Sequence, residues 1–194
     1  NKEFHGTKLA DRKPGVFPCH DFFEFECAKY KKVFYVMGNH EHYHGRFDKT
    51  YNELKAMMPE NVVLLEKECF EYEGVLFLGA TLWTDMNKGD PITVYTMKGF
   101  MNDYKVVQNF YADKGLYHKL TPEHTVAEHR KTKQYFKLML EEKRDMPVVI
   151  HCKSGRRSEA VVAHLRSMGL DNVISLSEGI MGWADAIDSS LERY

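Results

Sequence analysis

Charge of one sign is missing from this 194-residue chain: 27 Lys and Arg stand against 28 Asp and Glu, for a formal net charge of −1. No overall field draws it toward polynucleotide or an anionic membrane, which argues against nucleic acid as a partner. Missing too is any apolar run near the roughly 20 residues a spanning helix needs. The opening NKEFHGTKLADRK lacks the apolar core of a signal peptide. The expectation is a cytoplasmic protein with no membrane association. Cysteine is sparse, and Cys19, Cys27, Cys69 and Cys152 form no C-x-x-C pair and no zinc-ribbon spacing, which argues against a disulfide framework or a structural zinc. Internal repeats, low-complexity tracts and linkers are also absent. The first residue is Asn rather than Met, which reads as a fragment or a processed product.

What is present is core-forming material. Hydrophobic residues make up 43% of the chain, enough for one domain or one and a half. Elements alternate in α/β fashion. HDFFEFECAKYKK predicts a short helix capped by Asp21, and VFYVM (33–37) a strand buried on both faces that stops at Gly38. DKTYNELKAMM predicts a second helix, Val62–Leu65 a strand, and GVLFLGATLW (74–83) another. Residues 84–120 have weak periodicity and read as a long, partly helical loop of the kind that shapes specificity. LTPEHTVAEHRKTKQYFKLMLEEKRD is the clearest helix: Thr121 caps it, Pro122 opens it, and Val126, Phe136, Met139 and Leu140 form its apolar face. Near the end, SEAVVAHLRSMGL predicts a helix capped by Ser158 with Val161, Leu165 and Met168 inward, followed by a strand in NVISL (172–176). Trp83, the Phe and Tyr cluster and most methionines are assigned to core.

Two stretches carry chemistry. VFYVMGNHEHYHGRF places Gly38, Asn39, His40 and Glu41 directly after a buried strand, where α/β folds assemble sites. An amide oxygen and an imidazole suit Mn, Fe or Zn; the plainer reading is a His-rich surface turn. His42 and His44 are expected to face solvent. The second stretch is MPVVIHCKSGRRS (146–158), in which Cys152 ends a buried strand and precedes a helix starting at Ser158 or Glu159. Loop amides, the helix N-terminus and Arg156 or Arg157 would stabilise a thiolate, so a low-pKa cysteine is expected there. The plainer reading, an inert core cysteine, fits poorly with Lys153, Arg156 and Arg157 around it.

GNHE after an apolar strand resembles the third motif of the calcineurin-like metallophosphoesterases. With GATLWTD, the long loop and HRKTKQYFKLMLEE before PVVI, the resemblance covers about residues 18–150. It implies an α/β fold of layered β-sheet with flanking helices and a two-metal centre of Mn, Fe or Zn. Asn39 would bind one metal, His40 would stabilise phosphoryl oxygens, and a metal-held hydroxide would attack a phosphomonoester or phosphodiester. Asp11 is the nearest stand-in for the family's bridging Asp, and His151 for its later His. The family's D-x-H and G-H-x-H are absent from the chain.

CKSGRRSEAVVAHLRSMGLDNVISLSEGIMGW is similar to the C-terminal half of a rhodanese-like domain, over about residues 147–187, with Trp183 at the family's usual place. Cys152 to Arg157 is C-x4-R, a smaller ring than the C-x5-R of cysteine phosphatases, and suits a sulfur atom rather than a phosphate. The resemblance implies that Cys152 accepts sulfane sulfur as a persulfide with no cofactor, that Arg157 is catalytic beside it, and that Lys153, Ser154, Gly155 and Arg156 bind the substrate group. Glu178 stands where the first Gly of a Gly-Gly pair is common. The chain thus reads as a partial metallophosphoesterase-like region, 1–146, and a partial rhodanese-like region, 147–194, as in a chimera ending in a rhodanese-like strand-loop-helix-strand. Its expected function is metal-dependent phosphoester hydrolysis. The alternatives are a rhodanese-type sulfurtransferase or persulfide carrier, taking a small sulfane-sulfur donor, and a non-catalytic fragment.

Overall fold

The computed structural model describes residues 22–152 and 154–187. Asp11, Asp21, Cys19 and Lys153 therefore lie outside the described residues. The chain divides into two compact units, Asn1–Phe136 and Lys137–Tyr194. That division falls inside a long helix, ten residues ahead of the 146/147 division read from the motifs.

In the first unit the predicted opening helix is a π turn, Phe22–Glu26, followed by a 3-10 turn, Cys27–Lys29. Strand β1 (Val33–Tyr35) then runs parallel to β2 (Val62–Leu64), with α1 (Phe47–Lys55) between them. Helix α1 buries Leu54 and Thr50 and exposes its acidic and basic residues, as its amphipathic spacing requires. Leu54 meets Phe23, Cys27, Met37, Val62 and Leu64 in one core cluster. Next, β3 (Glu68–Tyr72) and β4 (Val75–Gly79) form an antiparallel hairpin. The turn between them places Glu73 and Gly74 at positive φ, a conformation open to Gly and costly for Glu.

The 84–120 stretch is far from structureless. It holds a kinked turn α2 (Met86–Gly89), α3 (Pro91–Phe100), a single turn α4 (Asp103–Val106) and the hairpin β5 (Gln108–Tyr111) with β6 (Leu116–Lys119). Asp90 caps α3 by accepting from Thr93 N, and Pro91 opens it. Met86, Tyr104, Val107 and Leu120 from this stretch form a second core with Val126. The apolar residues that build it are dispersed in sequence, so no local period announced them. Helix α5 (Pro122–Glu142) matches its predicted span, with Val126 and Leu140 buried.

The second unit takes over within α5. Strand β7 (Val148–Ile150) pairs in parallel with β8 (Val173–Ser175), and α6 (Arg156–Ser167) connects them as a β-α-β unit. Helix α7 (Gly179–Ala186) follows. Among the described residues of this unit, Leu140, Val162, Leu170, Val173 and Ala184 are buried.

Four readings need correction. The predicted layered sheet is absent among the described residues: four two-stranded sheets stand in its place. The strands are short, three to five residues each. Helix α6 faces the core with Ser158 and Val162, whereas Val161 and Met168 are exposed. It begins at Arg156, not at Ser158, which shifts the buried stripe. His42, expected in solvent, is only 3% exposed, with its ring centroid 4.6 Å from that of Phe47 and 5.8 Å from that of Trp83. Polarity of neighbours in sequence did not anticipate aromatic neighbours in space. Finally, Trp83, Phe23, Tyr104, Met37 and Met86 are core as assigned, but Tyr95, Phe100 and Met168 are not.

Candidate functional site

The GNHE turn is organised by carboxylates. Glu41 accepts from Gly38 N at 2.7 Å and from Tyr35 Oη at 2.7 Å, fastening the turn to the end of β1. Asp103, 2% exposed, accepts from Asn39 Nδ2 at 2.9 Å and from Tyr43 Oη at 3.2 Å. A carboxylate only accepts, so the Asn39 amide group must face Asp103 with its nitrogen. His40 is exposed, with its ring centroid 4.5 Å from that of Tyr43. Asp103, 64 residues from Asn39, carried no local sequence signal.

Asn39 lies in the first unit and His151 in the second, and Asp11 is outside the described residues. Among the described residues no group of three His, Cys, Asp or Glu side chains converges to hold a metal ion. A cleft of about 350 Å³ elsewhere in the first unit is lined by Glu66, Lys67 and Glu128 among others, and their charges answer one another. Lys67 pairs with Glu66 and, at 3.3 Å, with Glu128, which also holds Lys131 at 2.6 Å.

The Cys152 loop is built differently. Ile150 closes the parallel ladder, its carbonyl accepting from Leu176 N at 2.9 Å, and Cys152 O accepts from Ile180 N at 2.9 Å. Gly155 then turns the chain at φ 81° and caps α6. A Cβ at this position would lie 2.9 Å from Glu178 N, so both conformation and space demand glycine. The turn leaves Cys152 half-buried as a free thiol facing the N-terminus of α6. Ser158 Oγ lies 3.6 Å from Sγ. The N–H of Ser158 is the largest influence on the thiol; partial burial opposes it, and the Ser158 hydroxyl with the N–H groups of Ser154 and Arg157 adds to it. Together they hold the Cys152 pKa down to about 6. Near neutral pH the group is mainly thiolate.

The structure thus brings the N–H groups of Ser154, Arg157 and Ser158 together around the Cys152 sulfur, while the side chains of Arg156 and Arg157 are exposed. His151 is exposed as well. The sequence reading missed what Ser158 does: its side chain reaches back toward sulfur from inside the helix rather than capping it. The clue was its place six residues after Cys152, one helical turn into α6.

Glu178 occupies the left-handed region at φ 55° and caps α7. A residue with a Cβ costs about 1–2 kcal/mol there, against roughly 0.5–1 kcal/mol for the extra entropy lost by glycine. Glu178→Gly is expected to stabilise the second unit by about 0.5–1 kcal/mol. Denaturant unfolding followed by Trp183 fluorescence in a Trp83→Phe background checks this, and a lower midpoint would contradict it.

A family comparison supports the rhodanese-like part of the chain. Residues 118–186, from β6 to the end of α7, match the family model of the rhodanese-like domain. The match starts well upstream of residue 147 and takes in α5. An uncharacterized protein of Acanthamoeba polyphaga mimivirus is 31% identical over 94 residues, covering 45% of this chain and 32% of that relative. The chain spans about a third of the length of the curated relative it matches. No solved structure matches the chain significantly. None of these comparisons supports a metallophosphoesterase segment. No helix among the described residues is long and apolar enough to cross a membrane.

Proposed function

We propose that the chain is a rhodanese-type sulfurtransferase or persulfide carrier acting through Cys152. The observation that carries the reading is a half-buried thiol at the N-terminus of α6 whose charge is stabilised by the N–H groups of Ser154, Arg157 and Ser158. The rhodanese-like match over residues 118–186 supports the same assignment.

The chemistry follows from the sulfur's charge. The Cys152 thiolate attacks the outer sulfur of a donor such as thiosulfate and forms a new S–S bond. The bond between that sulfur and the sulfite sulfur breaks, and sulfite leaves with the electron pair. The Cys152 persulfide anion that remains meets the same amides that held the thiolate, since they answer charge rather than atom size. A thiol or cyanide acceptor then takes the outer sulfur and returns the thiolate. Ser154, Gly155, Arg156 and Arg157 frame the donor, with the two exposed guanidinium groups drawing an anion. A reducing cytoplasmic setting, which keeps the thiol free, belongs to the same reading.

Incubation with thiosulfate should add the mass of one sulfur atom to the intact chain, and Cys152→Ser should abolish the adduct. An unchanged wild-type mass, or an adduct that survives the substitution, would sink the proposal.

A further inference from the structure

The Cys152 sulfur has a hydroxyl neighbour that is itself held by another hydroxyl. Ser158 Oγ lies 3.6 Å from Sγ and 2.9 Å from Gly155 O. Serine carries a single O–H, so the two acceptors compete for one proton. Ser175 Oγ lies 2.9 Å from Ser158 Oγ and donates to it, occupying one of its lone pairs. Ser158 is only 1% exposed, which leaves bulk water no part in the exchange. Ser175 is the last residue of β8 and the register partner of Ile150, two residues before Cys152. The parallel ladder therefore fixes the far hydroxyl relative to the sulfur.

A neutral thiol is a poor acceptor, and against it the Gly155 carbonyl wins the Ser158 proton. An anionic sulfur accepts a charge-assisted bond about twice as strong as a neutral one, and the balance reverses. A donor behind Ser158 polarises its O–H and strengthens that second bond.

We propose that Ser175 is a positioning residue for the Cys152 sulfur: through Ser158 it keeps a hydroxyl proton available to the sulfur whenever the sulfur is an anion. As it bears on the persulfide, this rests on the sulfur-acceptor reading. As it bears on the thiolate, it stands by itself.

The test is a double-mutant cycle on Ser175→Ala and Ser158→Ala. Alkylation of Cys152 by iodoacetamide is read at its own peptide by mass spectrometry, at about pH 5, where the thiolate fraction limits the rate. Ser175→Ala should slow alkylation by about two- to fivefold, the scale of one neutral hydrogen bond partly offset by the greater nucleophilicity of a more basic thiolate. In the Ser158→Ala background the same change should have no further effect. An equal slowing in both backgrounds would overturn the relay. Should Ser175→Ala fail to fold, Ser175→Thr and Ser175→Val, nearly equal in size, differ in the hydroxyl: Thr should keep the faster rate, and equal rates would overturn the proposal. Thiosulfate loading of the same proteins separates the two claims. A coupled alkylation cycle without any sulfur adduct keeps the relay and removes the sulfurtransferase reading, whereas full loading with an additive cycle does the reverse.

Discussion

Acidification is expected to cost the first unit about 3 kcal/mol of stability through His42 alone, the difference between a folded pKa of about 4 and the ordinary 6.5. Burial against Phe47 and Trp83 is the main cause, and it outweighs the opposing pull of Glu41, Glu66, Asp103 and Glu128. The ring's Nδ1 is buried without a hydrogen-bond partner, so no hydrogen bond there replaces the imidazolium's lost hydration. The sign is fixed by which state takes up the proton. Between pH 6.5 and about 4 the unfolded chain binds it and the folded chain does not, so stability falls as pH falls through that window. Above 6.5 the contribution is complete. Urea midpoints followed by Trp83 fluorescence in a Trp183→Phe background should decline toward pH 4, and His42→Phe should flatten the decline. An equal slope in the variant would remove His42 as its source.

Gly155→Ala should damage the second unit through both its backbone and its packing. An alanine at φ 81° carries about 1–2 kcal/mol of left-handed strain. Its Cβ would also lie 2.9 Å from Glu178 N and 3.1 Å from Glu178 Cα, backbone atoms that cannot swing aside. Overpacking of that kind adds about 1–3 kcal/mol, so a loss of about 2–5 kcal/mol is expected in the unfolding of this unit, read from Trp183 fluorescence. If the turn yields instead, the amides of Ser154, Arg157 and Ser158 leave the sulfur and thiosulfate loading falls while stability is kept. The exposed neighbour Ser154→Ala serves as the control and should stay within about 0.5 kcal/mol. Unchanged stability together with unchanged loading in Gly155→Ala would contradict the account of the loop.

How much of this was legible beforehand differs between the two units. The Cys152 loop is local: strand, cysteine, glycine turn and helix follow one another within a dozen residues. Their types alone pointed to a stabilised thiolate, and the amide contacts agree. The helix start was misplaced by two or three residues because Ser158 reads as a cap in sequence, whereas Gly155 performs that role through its backbone. In the first unit the GNHE motif was conspicuous, yet the atoms that organise it are Glu41, whose role a motif does not reveal, and Asp103, contributed by a distant turn. The resemblance over about residues 18–150 lacked the family's D-x-H and G-H-x-H in the sequence itself, and among the described residues no three His, Cys, Asp or Glu side chains group to hold a metal ion.

By itself the sequence determined the alternation of helices and strands, the span of α5, and a cysteine placed where backbone amides would meet it. These rest on periodicity, caps and turns, interactions that reach only a few residues along the chain. Tertiary structure alone decided the pairing of strands into four separate ladders, the burial of His42 and the partnership of Asn39 with Asp103. It also decided the line of hydroxyls from Ser175 through Ser158 to Cys152. Each depends on residues brought together across long stretches of chain, and burial and hydrogen-bond partnership are properties of that convergence.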